Sequence, residues 1–134
     1  MAVTPYTNNA IFTKIRAAAI AEVSGTNCTQ TYAGTPTKFP TVFAREIGRF
    51  TPNGTPTLSN AQDIYETTWE VQIFSNLKTG AKEQAYALLG AVKTALRGLY
   101  FVESSENPID NNNNIYTLVA RFRRIIGSGE SMPT

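Results

Sequence analysis

The clearest alternation of apolar and polar positions in this chain runs over residues 65–73. One set of alternate positions is aromatic or β-branched: Tyr65, Thr67, Trp69, Val71 and Ile73. The intervening positions are polar: Glu66, Thr68, Glu70 and Gln72. A period of two with these residue types on one side is typical of a strand with one buried face. The pattern therefore predicts a long strand, which ends at a turn over residues 75–80.

After this turn the apolar period changes from two residues to that of a helix. One stripe consists of Ala85, Leu88, Leu89, Val92, Leu96 and Leu99. This spacing predicts an amphipathic helix that begins near Ala81. A second side carries small residues, namely Ala87, Gly90, Ala91, Thr94 and Ala95. Because a glycine in a helix interior costs roughly 1 kcal/mol against alanine, we expect this side to pack closely, against either the chain's other helix or a neighbouring subunit.

Weaker patterns complete the predicted fold. They indicate a first helix from a cap at Asn8 or Asn9 to about Val23, and strands at about residues 29–32, 41–50, 99–103 and 115–126. Gly48 is expected to mark a bulge in the second of these strands. Residues 51–60 and 104–114 are polar and are expected to form loops, the first a protruding arm between two paired strands.

These elements predict a single α+β domain over residues 1–134. Its largely antiparallel sheet has about four strands, with two helices packed on one face and a protruding hairpin loop. Val42, Ala44 and Glu46 are predicted to share one face of their strand, and Phe43, Arg45, Ile47 and Arg49 the other. The ends, about residues 1–7 and 127–134, are expected to be flexible and to carry no core residues.

Composition narrows the chemistry that this fold can perform. The 134 residues include no histidine and a single cysteine, Cys28, and the formal net charge is +2. The usual general base, the histidine-paired nucleophiles and thiolate metal clusters are therefore missing. Asp63 and Asp110 stand in no acid pair or metal-loop spacing, and no phosphate-binding glycine motif occurs. The sequence therefore predicts a protein that is not an enzyme, with no catalytic residue, cofactor or metal.

Four stretches, in this order, resemble the tail terminator (tail completion) proteins of long-tailed bacteriophages and related minor capsid or neck proteins. They are FPTV at residues 39–42, YETTWEVQIFSN at 65–76 with the KTG turn at 78–80, the helix from about Ala81, and FVE at 101–103 with IYTLVARF at 115–122. Together these stretches span nearly the whole chain beyond Pro36. Each is weakly specific alone, and their order and spacing carry the match.

The resemblance implies a structural virion protein, a small subunit that assembles as a ring, typically a hexamer. Such a ring caps the completed tail tube, ends its polymerisation and joins the tail to the head connector. The implied partners are other copies of the chain, the tail tube protein and a head-closure or connector protein, while DNA passes through the lumen without specific binding. The implied location is the virion tail or neck, after assembly in the host cytoplasm. No sequence pattern predicts a membrane-spanning segment or membrane binding.

Candidate interface residues lie in loops and on the second face of the sheet. They are Pro52, Asn53 and Gly54 in the arm, Asn112 and Asn113 in the asparagine-rich loop, and Glu66, Glu70, Arg121 and Arg123 on the sheet. The four charged residues are expected to pair either across a subunit boundary or across strands within one sheet. Exposed pairs of the second kind are worth only ~0–1 kcal/mol.

Two alternatives to the terminator interpretation remain open at this point. One is another neck or head-closure component, which differs only in the neighbour it contacts. The other is a small nucleic-acid-binding module, suggested by Arg121, Arg123 and Arg124 because arginine contacts phosphates well. Strand alternation places Arg124 opposite the other two arginines, so the sequence predicts no continuous basic patch.

Overall fold

The computed structural model describes residues 6–31, 36–50, 65–127 and 132–133. They form two helices and six strands: α1 (Asn8–Glu22), β1 (Asn27–Thr29), β2 (Thr41–Phe50), β3 (Tyr65–Ser75), α2 (Ala81–Gly98), β4 (Val102–Glu106), β5 (Asp110–Asn112) and β6 (Ile115–Ile126). The α+β class is confirmed, as are the bounds of β2 and β6. Neither of the two described helices is both long enough and apolar enough to span a bilayer.

The strands form one mixed sheet in the order β1-β2-β3-β6-β4, with β5 also paired to β6. β1 runs parallel to β2, whereas the remaining pairs are antiparallel. The expectation of about four strands was therefore too low. β1 and β5 are three residues long and polar, and β5 lies within the predicted loop 104–114. Residues such as Asp and Asn have low strand propensity, so pairing with a neighbouring strand decides their conformation.

A bulge in β2 changes which side chains face the core. The pairing of β2 with β3 shifts between Glu46 and Gly48, so the bulge expected at Gly48 is confirmed. The extra residue, Ile47, reverses the alternation after it. Arg49 consequently pairs with buried Thr67 on the core side, and the prediction that it shares a face with Arg45 is wrong.

The core lies between the two helices and one face of the sheet. All six residues of the predicted α2 stripe are buried. They belong to one cluster with Ile11, Ile15 and Ala19 of α1 and with the inward residues of the strands: Val42, Ala44, Trp69, Val71, Ile73, Leu118, Ala120, Phe122 and Ile126. Because both helices contribute to this one cluster, the other face of the sheet has no described helix against it.

The ends of the chain supply core residues that the local pattern did not predict. Tyr6 is buried and its hydroxyl donates a hydrogen bond to the Leu99 carbonyl at 3.0 Å, while Met132 is buried in the same core. The expectation that the ends carry no core residues is wrong for these two positions. Thr7, rather than Asn8 or Asn9, caps α1, because its Oγ1 accepts a hydrogen bond from the Ala10 amide.

Two predicted strands are displaced along the chain. The strand expected at residues 29–32 lies at Asn27–Thr29, and the one expected at 99–103 lies at Val102–Glu106. After α2, Tyr100 takes a left-handed conformation with φ 67°, and the Phe101 amide still bonds to the Leu96 carbonyl. The helix end thus occupies residues that the apolar pattern assigned to β4.

Candidate interaction surface

The face of the sheet that turns away from the helices carries the four charged residues among the predicted interface residues. Strand alternation places Glu66 and Glu70 of β3 on this side, opposite the inward Trp69 and Val71. On β6 the same alternation turns Arg121 and Arg123 outward, since Ala120 and Phe122 are buried in the core. We call this surface the open face.

Glu70 lies at the centre of the open face and is nearly buried. Its Oε2 accepts a hydrogen bond from Arg121 Nε at 3.1 Å, and Arg121 Nη2 lies 3.0 Å from the same oxygen as an ion pair. Its Oε1 accepts a second hydrogen bond, from Gln72 Nε2 at 2.9 Å. Arg121 is the direct cross-strand partner of Glu70 on β6, and Arg45 is its partner on β2. One carboxylate therefore sits between two arginine positions.

A second pair, Glu66 with Arg123, lies one step along the same face. The Arg123 Nη1 to Glu66 Oε2 distance is 3.4 Å. Both predicted pairs therefore form across strands of one sheet, which was one of the two alternatives. The arginines stand above the carboxylates: the side chains of Arg121 and Arg123 are 52% and 57% exposed, against 8% for Glu70 and 25% for Glu66. The solvent-exposed part of these two ion pairs therefore consists mainly of guanidinium groups.

Apolar side chains border one end of the open face. Phe50 and Ile125 are the two cross-strand partners of Glu66, and Val102 of β4 is the partner of Arg123. All three are more than half exposed. The Phe50 ring lies over Gly48, where an added Cβ would meet it at 2.5 Å. A shallow groove of about 310 Å³ between Val102, Tyr100 and Ile125 completes this end.

At the opposite end of the open face, Phe43 and Phe74 are buried although they are outside the main core cluster. They line a cavity of about 350 Å³ together with Thr29 and Lys38. Cys28 also reaches this cavity, and burial raises the pKa of its thiol, opposed only by the charge of Arg16. A raised pKa lowers the thiolate fraction, so this cysteine is a poor nucleophile at neutral pH.

The margin of the sheet beside β6 is acidic. Glu103 and Glu106 of β4 reach Lys93 of α2, at 3.2 Å and 2.6 Å from its Nζ. The hydrogen bond with Glu106, followed by that with Glu103, raises the pKa of Lys93 against the opposing effect of burial. Asp110 of β5 is exposed on the same margin but on the other face of the sheet. It pairs with Thr117, which alternates with the buried Leu118, whereas Glu103 and Glu106 pair with the buried Phe122 and Ala120 on the helix side. We call Glu103, Glu106 and Asp110 the acidic edge.

The remaining predicted interface residues lie elsewhere. Pro52, Asn53 and Gly54 lie outside the described residues. Asn112 ends β5, and Asn113 and Asn114 adopt positive φ values of 54° and 66° in the turn to β6, as a two-residue hairpin turn requires. Asn112 pairs with Ile115, six residues along β6 from Arg121 and hence about 20 Å away. Asn112 is therefore on the open-face side of the sheet but far from the charged pairs at its centre.

The small-residue side of α2 is only partly covered within the described chain, since Ala91 and Ala95 are half-buried. Ala87, Gly90 and Thr94 are exposed, and a Cβ built on Gly90 meets no atom within 4 Å among the described residues. The buried stripe of α2 is instead the leucine-rich side. The other alternative, a neighbouring subunit, is not tested by a single chain.

Sequence reasoning missed Arg45, Phe50, Val102 and Ile125 as members of the open face. Arg45 was assigned to the correct side of β2, but its position opposite Glu70 depends on the register between two strands, which the sequence leaves undefined. Phe50 reaches this face because of the bulge. Arg124 lies on the other side of β6, over the rings of Tyr6 and Tyr100, as strand alternation predicted.

The comparisons add no family assignment. The chain matches no protein-family model, and no curated protein sequence matches it. Among the described residues, no group of three or more His, Cys, Asp and Glu side chains is placed to hold a metal ion. The arrangement of the open face, with arginines above carboxylates and apolar side chains at one end, is suited to binding another surface.

Proposed function

We propose that this chain is a structural assembly protein, a subunit of a ring that caps a phage tail tube, ends its polymerisation and joins the tail to the head connector. The proposal begins from the four stretches that resemble tail terminator proteins. The element order supports it, because a helix, two long paired strands, a second helix and a further pair of strands follow one another along the chain.

The observation that carries the proposal is the open face. An isolated protein gains little from leaving Phe50, Ile125 and Val102 exposed next to three arginines. Protein interfaces are enriched in aromatic residues and arginine and depleted in lysine, and the cationic groups on the two long strand pairs of this face are all arginine. The composition of this face therefore favours contact with a protein.

The test combines solution mass with imaging. Light scattering over a concentration series gives the mass of the purified chain, and negative-stain images are recorded with and without a candidate tail tube protein. We expect rings, either free or formed only on tube ends, and tubes of defined length when the chain is added during their polymerisation. A monomer that ignores tube ends at every concentration contradicts the proposal.

A further inference from the structure

The cavity at the end of the open face belongs to the same surface as the arginines. Phe43 and Phe74 alternate along their strands with Val42 and Ile73, which are buried in the main core. Their side chains therefore lie on the side of the sheet away from the helices. The rest of the wall comes from β1 and from residues 36–38, which precede β2. A hollow of about 350 Å³ thus opens on the open face.

Several polar groups of the cavity wall already bond to one another. Asn27 Nδ2 donates a hydrogen bond to Thr41 Oγ1 at 3.3 Å, and this hydroxyl donates in turn to the Lys38 carbonyl. The Thr31 amide donates to Thr29 Oγ1 at 3.0 Å. Ligand pockets measure about 300–1,000 Å³, so this cavity is at the small end of that range. With satisfied polar groups and two aromatic rings in its lining, it suits one bulky apolar side chain.

Two cations stand beside this cavity without a carboxylate partner among the described residues. Lys38 lines the cavity and is exposed. Arg45 is exposed on β2, with its guanidinium carbon 5.4 Å from the centroid of the Phe43 ring. Neither side chain forms an ion pair with a described residue.

The described carboxylates of the open face do not neutralise these two cations. Glu70, the cross-strand partner of Arg45, is nearly buried and is held by Arg121. Asp110 is exposed on this face, but it lies three strands away from β2 and hence about 14 Å from it. This separation exceeds the Debye length of about 8 Å at physiological salt. The cavity end of the face is therefore locally electropositive.

We propose that this end of the open face binds an acidic segment of a partner protein, whose bulky apolar side chain enters the cavity while its carboxylates meet Lys38 and Arg45. The inference rests on the proposed function, in which the partners are proteins, and deepens it by naming the chemistry of the segment that is recognised. An apolar anchor buried in a pocket supplies most of the affinity of such a contact. Charge complementarity orients the segment and speeds its association.

The spacing of the strand residues defines the segment further. Arg45 is the next outward residue after Phe43 on β2, about 7 Å along the strand. An extended partner chain covers this distance in two to three residues. Nucleic acid is less suited to this end, because Phe43 and Phe74 are only 2% and 9% exposed. Neither ring therefore offers an open face on which a base can stack.

The probe is a fluorescein-labelled peptide of glycine and serine that carries one phenylalanine, followed two and three residues later by glutamate. Fluorescence anisotropy measures its binding to the full chain at low salt. We expect saturable binding that weakens about fivefold or more when both glutamates are replaced by glutamine. Replacing the phenylalanine by alanine should weaken binding about tenfold or more. Both comparisons use the unaltered chain, so they do not depend on the folding of a variant.

Charge reversal on the protein gives the complementary measurement. Lys38→Glu and Arg45→Glu should each weaken binding of the acidic peptide, and Lys14→Glu, at an exposed position of α1, is the matched control and should bind as the unaltered chain does. Circular dichroism and thermal unfolding check that each variant is folded. Added salt should weaken binding to the unaltered chain, because exposed charges are screened.

The inference is overturned if the acidic and glutamine peptides bind equally well, or if neither reversal changes binding. Absence of saturable binding at low salt overturns it as well, and the images of rings and tube ends then decide the proposed function separately. A fluorescein-labelled oligodeoxynucleotide that binds more tightly than the acidic peptide, and is released by the same reversals, would assign this end of the face to nucleic acid instead.

Discussion

Individual charged residues on the open face differ in what they contribute, because their burial differs. Glu70 is nearly buried, accepts hydrogen bonds from Gln72 and Arg121, and forms an ion pair with Arg121. Glu66 is three times as exposed and makes one longer contact with Arg123. A buried carboxylate that loses its hydrogen-bond donor still bears the cost of desolvation, whereas an exposed carboxylate can form hydrogen bonds with water instead.

Removing the partner of Glu70 should therefore cost more than removing the partner of Glu66. We expect Arg121→Met to lower the free energy of unfolding by about 1–3 kcal/mol, and the matched variant Arg123→Met to lower it by about 0–1 kcal/mol. Urea unfolding at low protein concentration, where self-association does not contribute, measures both. Equal losses would show that Glu70 is solvated in solution.

Lys93 gives a prediction for the dependence of stability on pH. Its hydrogen bonds with Glu106 and Glu103 raise its pKa above the ordinary value of 10.5. A raised pKa means that the folded state binds this proton more tightly than the unfolded state does. The stabilisation is therefore fully present below about pH 10.5 and disappears as the pH rises through the raised value.

We expect Lys93→Met to lower the free energy of unfolding by roughly 0.5–1 kcal/mol at neutral pH, with the difference vanishing in strongly alkaline solution. Lys82→Met, at an exposed position of the same helix, is the control and should show no such trend. Denaturant unfolding from pH 7 upward makes the comparison. A difference that grows with pH would contradict the assigned sign.

At the scale of single elements, the two sides of helix α2 differ in burial. Its leucine-rich side is buried in the core, whereas Ala87, Gly90 and Thr94 of its small-residue side are exposed in the described chain. Gly90 has helical neighbours on both sides and no described atom within 4 Å of an added Cβ. No described part of the subunit therefore requires glycine at this position.

Gly90→Ala should consequently stabilise the isolated subunit. We expect a gain of about 0.5–1 kcal/mol, because alanine loses less backbone entropy on forming a helix. Gly98→Ala, at the last residue of the helix and equally uncrowded, should gain less because end residues fray. Thermal unfolding of the two variants provides the measurement, and a loss at Gly90 would reveal a close contact in the subunit.

The elements that the sequence predicted well are those whose own side chains determine them. The stripe from Ala85 to Leu99 and the alternation in β3 are periodic over many residues, so the bounds of α2 and β3 followed from them. β1 and β5 are defined by their neighbours, β2 and β6, and show no pattern of their own. The burial of Tyr6 against Leu99 joins residues 93 positions apart, and local sequence carries no signal for it.

The open face was predicted only in part, because its arrangement also depends on how neighbouring strands pair. Alternation alone placed Glu66, Glu70, Arg121 and Arg123 on one side of their strands. The alignment of Arg45 with Glu70 and the arrival of Phe50 beside Glu66 depend on strand register and on the bulge at Ile47. Both are properties of pairing, which a single strand does not encode.

At the scale of the whole sheet, β3 and β6 form the longest pairing without a register shift among the described strands. The register is continuous from the Tyr65–Ile126 pair to the Ser75–Tyr116 pair. The pairings of β2 with β3 and of β4 with β6 each contain one register shift. β3 and β6 are also central in the sheet, with neighbours on both sides.

Amide hydrogen exchange should follow this order. We expect the slowest exchange in the inward half of β3 and β6, near Val71 and Ala120, and faster exchange in β4 and β5 at the acidic edge. Mass spectrometry of peptides after timed labelling gives the comparison. Protection of β4 that rises with protein concentration would in addition place this strand in a subunit contact.

The unshifted match between β3 and β6 also has a mechanical consequence. In this sheet the two central strands pair without a register shift, and the pairing on each side of them contains one. Such a sheet bends and twists at its margins while its middle keeps its shape. A load applied along the two central strands is shared by all of their cross-strand bonds at once, rather than broken one bond at a time. In the proposed ring, such a subunit would deform at its margins while its two central strands keep the lumen at constant width.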